Sequence, residues 1–277
     1  MTSRRLLGIA VGMTDPDAPP SAPAAAPEGA IPAATLVIMR PAPRGGPDEI
    51  LMVKRSAAMV FAAGAVVFPG GRIDPDDHVV AARHGFAEGD IDGAARVAAL
   101  RETLEETGLA VGWPALAEAD VDAVRRALLE GRLLSDILRD RDERLRLSAL
   151  VPFARWCPNF KETRTFDTRF YAVAAPAHSH ELTVEAAEHS HIFWASAGAT
   201  LAMADRGEVS IIFPTRRNLE RLAQADDFTA FSAHAAAYPV DLVTPWIETR
   251  EGGSHLCIPG HLGYPVTSEP FERVRRG

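Results

Sequence analysis

Apolar positions along this chain follow two rhythms, and the switches between them mark out the elements. Short runs rich in branched and aliphatic residues at 34–39 and 49–55 flank a Pro/Gly turn and predict two strands. Ala65-Val66-Val67 predicts a third strand end, closed by Phe68-Pro69-Gly70-Gly71. Over about 93–107 the period becomes helical, with Val97, Leu100 and Leu104 on one stripe, Asp92 as a candidate N-cap and Gly108 as the residue that stops the helix. Two amphipathic runs split near Gly131 fill 114–147 and predict an inserted helical hairpin or cap. Strand patterns return at about 149–157, 166–174 and 191–195. Helices are expected near 196–206 and 215–223, the latter opened by Pro214-Thr215-Arg216 with Thr215 as cap. In the last 30 residues, 245–247 and 256–259 predict a short strand pair. The order is mixed α/β.

Composition narrows this picture. A chain of 277 residues with 47% hydrophobic content can bury a substantial core. Residues 1–32 are rich in Pro and Ala and predict a flexible lead-in, 33–245 carry the main domain, and 246–277 are expected to pack on it as a C-terminal extension. A net charge of −8 argues against a protein that tracks nucleic-acid backbones, though local arginines can still take small phosphate ligands. Two cysteines, Cys157 and Cys257, are too few for a disulfide framework, so a reducing, cytoplasmic location is expected. No apolar stretch approaches the length of a membrane span. Oligomeric state stays open, a homodimer among the options.

The chemistry concentrates at 101–109, Arg-Glu-Thr-Leu-Glu-Glu-Thr-Gly-Leu. With Val97 at zero on a wheel of ~100° per residue, Glu102, Glu105 and Glu106 fall at about 140°, 80° and 180°, opposite the apolar stripe. Three carboxylates near a helix C-terminus work against the helix dipole and one another. One reading is a solvated acidic end held by an Arg101–Glu105 pair; the other is a site for a hard divalent cation.

The run, with Phe68-Pro69-Gly70-Gly71 upstream, resembles the Nudix box. Thr103 stands where that pattern has a bulky aliphatic, and Leu109 fills the second such position. Gly71 and Arg101 are 30 positions apart instead of the box's 14, so about 16 residues are inserted, placed here at 76–92 and expected to form a loop. The box's middle glutamate, counted eight back from Arg101, falls on Gly93; Asp92 and Glu88 are candidate substitutes. An inserted box with Asp74, followed by Leu150-Val151-Pro152-Phe153-Ala154-Arg155-Trp156 and Arg164-Thr165-Phe166-Asp167-Thr168-Arg169-Phe170, resembles the Nudix subgroup of the peroxisomal coenzyme A diphosphatases. Glu188, six before Trp194, is similar to the Nudix strand that ends in Trp.

The resemblance implies a helix–sheet–helix sandwich around a mixed β-sheet with an inserted helical segment. It implies Mg²⁺ or Mn²⁺ held by Glu102, Glu105 and Glu106 with the Gly71 backbone carbonyl, and Arg101 orienting a carboxylate. The general base would be a box glutamate or Glu188. Arg55, Arg164 and Arg169 are candidate phosphate contacts. The substrate class is a nucleoside diphosphate linked to another moiety, coenzyme A or acyl-CoA first, with ADP-ribose, NADH or a sugar nucleotide as alternatives; a non-catalytic nucleotide-binding module is a further option. Two other features have plainer readings. His178, His180, His189 and His191 form two His-Ser-His pairs without neighbouring cysteine, so surface loops are expected rather than zinc. Phe160 and Trp156 could stack a base or fill the core.

Overall fold

A computed structural model describes residues 25–54, 64–158, 165–176, 191–250 and 252–274. The N-terminal strands are β1 (Ile31–Arg40), β2 (Glu49–Lys54), β3 (Val66–Val67) and β4 (Gly70–Arg72). Four helices follow: α1 (Pro75–Arg83), α2 (Ile91–Thr107), α3 (Glu118–Leu129) and α4 (Leu134–Asp140). Strands β5 (Val151–Trp156), β6 (Phe166–Ala174) and β7 (His191–Ser196) come next, then helices α5 (Ala197–Asp205), α6 (Phe213–Leu222) and α7 (Phe228–Ala236). The chain closes with β8 (Leu242–Val243), β9 (Trp246–Arg250), β10 (Gly253–Cys257), β11 (Ser268–Pro270) and α8 (Phe271–Val274).

The central sheet runs β3-β2-β1-β6-β5-β8, with β4 also paired to β1 and β7 to β2. It is mixed: β1–β6 and β5–β8 are parallel, the other pairs antiparallel. Alternation along β1 divides the interior in two. Ala34, Leu36 and Ile38 join one apolar cluster with α1 to α4, while Val37 and Met39 join another with α5 to α7. Helices cover both faces, which is the expected sandwich. The C-terminal segment supplies Leu256, Ile258 and Tyr264 to the second cluster, and the Trp156 indole donates to the Tyr264 hydroxyl at 2.8 Å. Trp156 is 1% exposed, so it is a core residue and does not stack a base.

Several expected boundaries move. Asp90, not Asp92, caps α2, accepting from the backbone N–H groups of Asp92 and Gly93 at 2.8 and 3.3 Å. Asp92 lies two residues on, in the first turn, where it pairs with Arg96 at 2.7 Å and accepts from the Tyr171 hydroxyl at 2.7 Å. Thr215 is buried inside α6, which starts two residues earlier behind Ile212; the proline at the helix start tolerates that position because its missing N–H would be unpaired there anyway. The sequence pattern does not mark helix α7, because its Ala-rich run after Asp227 has few large apolar residues to form a stripe. The 76–92 insertion is no simple loop: its first half is α1, whose Val80 and Ala81 are buried against α2. The strand pair expected near the C-terminus forms as β9 and β10, with β11 as a third member.

Candidate active site

Helix α2 lies across β1 and β4, so its C-terminal half meets the glycine turn. Its end is held on two sides. Gly108 takes the left-handed conformation (φ 74°) and its N–H donates to Leu104 at 2.9 Å. From α3, the Arg125 guanidinium donates to the Glu105 carbonyl at 3.0 Å, placing a cation where the helix carbonyls are unpaired.

Gly70 and Gly71 have a steric purpose here. A Cβ on Gly71 would lie 2.2 Å from the Glu102 carboxyl carbon, and one on Gly70 would lie 2.3 Å from the Ala34 carbonyl oxygen. Glycine at 71 lets the backbone of β4 approach Glu102 this closely, and glycine at 70 lets it approach β1. The Gly70 N–H donates to a Glu106 carboxylate oxygen at 3.0 Å.

Arg101 is the hub, at 7% exposure. It donates to both oxygens of Asp77 at 3.0 and 2.9 Å, to the Arg72 carbonyl at 2.9 Å, to Glu102 at 2.9 Å and to Glu105 at 3.4 Å. Burial alone would lower its pKa, but the Asp77 hydrogen bonds and charge outweigh that and raise it. Burial pushes the Asp77 carboxyl the other way, upward, against the Arg101 bonds. The bidentate geometry and the further bond from the Asp74 N–H at 2.8 Å favour a fully charged pair.

Asp77 also accounts for the glutamate missing at Gly93. It stands six positions after Gly71, where the box places its middle glutamate when counted forward from the glycine. On that count the inserted residues follow Asp77, which is bonded to Arg101, whereas Asp92 pairs with Arg96. That forward count was the available signal.

The three box glutamates are partly enclosed. Burial, opposed by Arg101 and aided by Glu105 and Glu106, pushes the Glu102 carboxyl up to about 7; burial also raises Glu105. Among the described residues no three His, Cys, Asp or Glu side chains converge on one point as a metal would require. Glu102 and Glu105 are turned toward Arg101, and Glu106 toward the Gly70 N–H. In kind the donors suit a hard divalent cation, and a bound cation would relieve the burial and mutual repulsion that drive Glu102 upward.

Arg169 stands on β6, 3.5 Å from Asp167, whose other partner is Arg155. Arg55, Arg164, Glu188, Phe160, His178, His180 and His189, with the side chain of His191, lie outside the described residues. No helix among the described residues is long and apolar enough to cross a membrane.

No family model and no curated protein matches the chain. Solved structures do. It is similar to a NUDIX hydrolase from Alicyclobacillus acidocaldarius at 30% identity, over 74% of this chain and 96% of that one, with a TM-score of 0.62. It also aligns with the NUDIX domain of Shewanella oneidensis NrtR complexed with ADP ribose, at 14% identity, 71% and 88% coverage and a TM-score of 0.39. A MutT protein from Methanosarcina mazei Go1 aligns at 18% identity, 71% and 96% coverage and a TM-score of 0.38. The chain belongs to the Nudix hydrolases.

Proposed function

We propose that this Nudix hydrolase cleaves the diphosphate of a nucleoside diphosphate linked to another moiety, using Mg²⁺ or Mn²⁺ held by Glu102, Glu105 and Glu106 with the Gly71 carbonyl. The observation that carries the reading is the closure of β4 against α2, with Gly71 in contact with the Glu102 carboxyl and Arg101 bonded to two of the three glutamates. A bound divalent cation would supply charge neutralisation for the phosphate oxygens and a water acidic enough to ionise near neutral pH. The chain's own residues do the rest. Arg101, locked by Asp77, keeps Glu102 and Glu105 at fixed positions. Glu106 is oriented by the Gly70 N–H. A box glutamate serves as general base, ahead of Glu188.

Coenzyme A or acyl-CoA is the favoured substrate, supported by the inserted box and by the 150–156 and 164–170 segments. ADP-ribose, NADH and sugar nucleotides are the alternatives on the same machinery. Metal-dependent release of 3′,5′-ADP and phosphopantetheine from coenzyme A is the expected result of a nucleotide panel. Hydrolysis confined to other panel members would discard the coenzyme A preference and keep the mechanism.

A further inference from the structure

We propose that Arg155 and Arg169, tied together by Asp167, form an anion-binding subsite for the phosphates of the substrate, on the same face of the sheet as the glutamates; this rests on the diphosphatase reading above.

The sheet register sets the geometry. Arg155 of β5 is directly opposite Arg169 of β6, Arg169 is opposite Ala34 of β1, and Ala34 is opposite Gly71 of β4. Directly opposed residues project from the same face of a sheet. The Ala34 side chain belongs to the cluster under α2, so both arginines emerge on the face that carries the glutamates. At the ordinary strand spacing of ~5 Å, Arg169 lies about 10 Å and Arg155 about 15 Å from Gly71 along this row. A diphosphate anchored at the glutamates and an arginine side chain extended along the row together span the distance to Arg169.

The charges do not balance as a structural salt bridge would. Asp167 is 6% exposed and needs one guanidinium to neutralise it. Arg155 supplies that alone, donating through two nitrogens at 2.8 and 2.9 Å, and the Asp167 bonds raise its pKa so that it stays charged. Among the described residues, Arg169 is then surplus. Among the described residues its one ion pair is the 3.5 Å contact with Asp167. Both arginines keep solvent access, with side chains 17% and 14% exposed. A surplus cation on the same face as three carboxylates, in a chain of net charge −8, complements a polyanion carrying its own counter-cation. Asp167 acts as a positioning residue, since it aims the Arg155 fork.

The test is calorimetric titration of ADP, with Mg²⁺ present, into the full chain and its Arg169→Gln, Arg169→Lys and Arg155→Gln variants. Each Gln variant should weaken ADP binding by roughly tenfold, and Arg169→Lys should recover part of the loss. With a hydrolysed substrate, KM should rise more than kcat falls. Unchanged ADP affinity in both Gln variants, or no ADP binding by the wild type, overturns the subsite. Should Arg155→Gln fail to fold, Arg169→Gln decides, because Arg155 still holds Asp167 there. The two proposals fail separately. Arginine-dependent ADP binding with no hydrolysis across the panel sinks the diphosphatase reading alone, whereas hydrolysis with KM untouched by the variants sinks the subsite alone.

Discussion

Arg101 and Asp77 show how far one residue pair can govern a site it does not itself react in. A guanidinium at 7% exposure and a carboxylate at 0% are tolerated because each satisfies the other. Removing one partner strands the other, so Asp77→Ala should cost about 3–5 kcal/mol of stability, read from urea unfolding. Wild-type stability in that variant would show that Arg101 has other adequate partners. Glu105→Gln and Glu106→Gln act on the chemistry instead. Each removes a proposed metal donor and relieves a like-charge contact, so turnover should fall by roughly a hundredfold or more while the fold survives. Near-normal turnover in both would remove the metal assignment.

Elements bring those residues together, and here the glycine strand and helix α2 are decisive. Gly71→Ala would drive a methyl group into the flexible Glu102 side chain, whereas Gly70→Ala meets the Ala34 backbone. Gly71→Ala should therefore fold but lose most activity, and Gly70→Ala should lose stability as well, since backbone cannot yield as a side chain does. Equal melting points for the two variants would contradict this. The helix itself was legible from the spacing of Val97, Leu100 and Leu104, all at 0% exposure. Its glutamate face was legible as a face, but not as a partly enclosed one, because helical periodicity says nothing about what packs against the second side. The sequence pattern hides helix α1 for a related reason. Its two core residues, Val80 and Ala81, are adjacent and make no stripe, and its chief contribution is a single buried carboxylate. Arg155 and Asp167 were visible only as part of a resemblance; their pairing depends on the β5–β6 register, which sequence spacing does not determine.

At the scale of the whole molecule, the second core is closed by a buried polar network under the C-terminal sheet. Arg217 of α6 bonds to Glu220 and to Glu269 of β11, each at 2.9 Å. Burial outweighs these attractions, lowering Arg217 and pushing Glu220 from 4.5 up to about 7. A carboxyl raised on folding holds a proton in the folded state that the unfolded chain has already released. Its contribution to stability therefore falls as pH rises from about 4.5 to about 7. Relative to the wild type, Glu220→Gln should gain melting temperature as pH is raised through that window, measured with metal chelated. A difference that stays constant with pH would mean Glu220 titrates normally.

The central claim is that the enclosed glutamates of α2 serve metal-dependent cleavage of a nucleotide diphosphate. Hydrolysis of coenzyme A, acyl-CoA, ADP-ribose and NADH by the wild type and by Glu105→Gln, with Mg²⁺ or Mn²⁺ and then with chelator, tests it directly. Cleavage of at least one of these, abolished by chelation and sharply reduced in Glu105→Gln, is the predicted result. Folded protein that leaves every one intact, or cleaves them equally well with chelator present, would contradict the account.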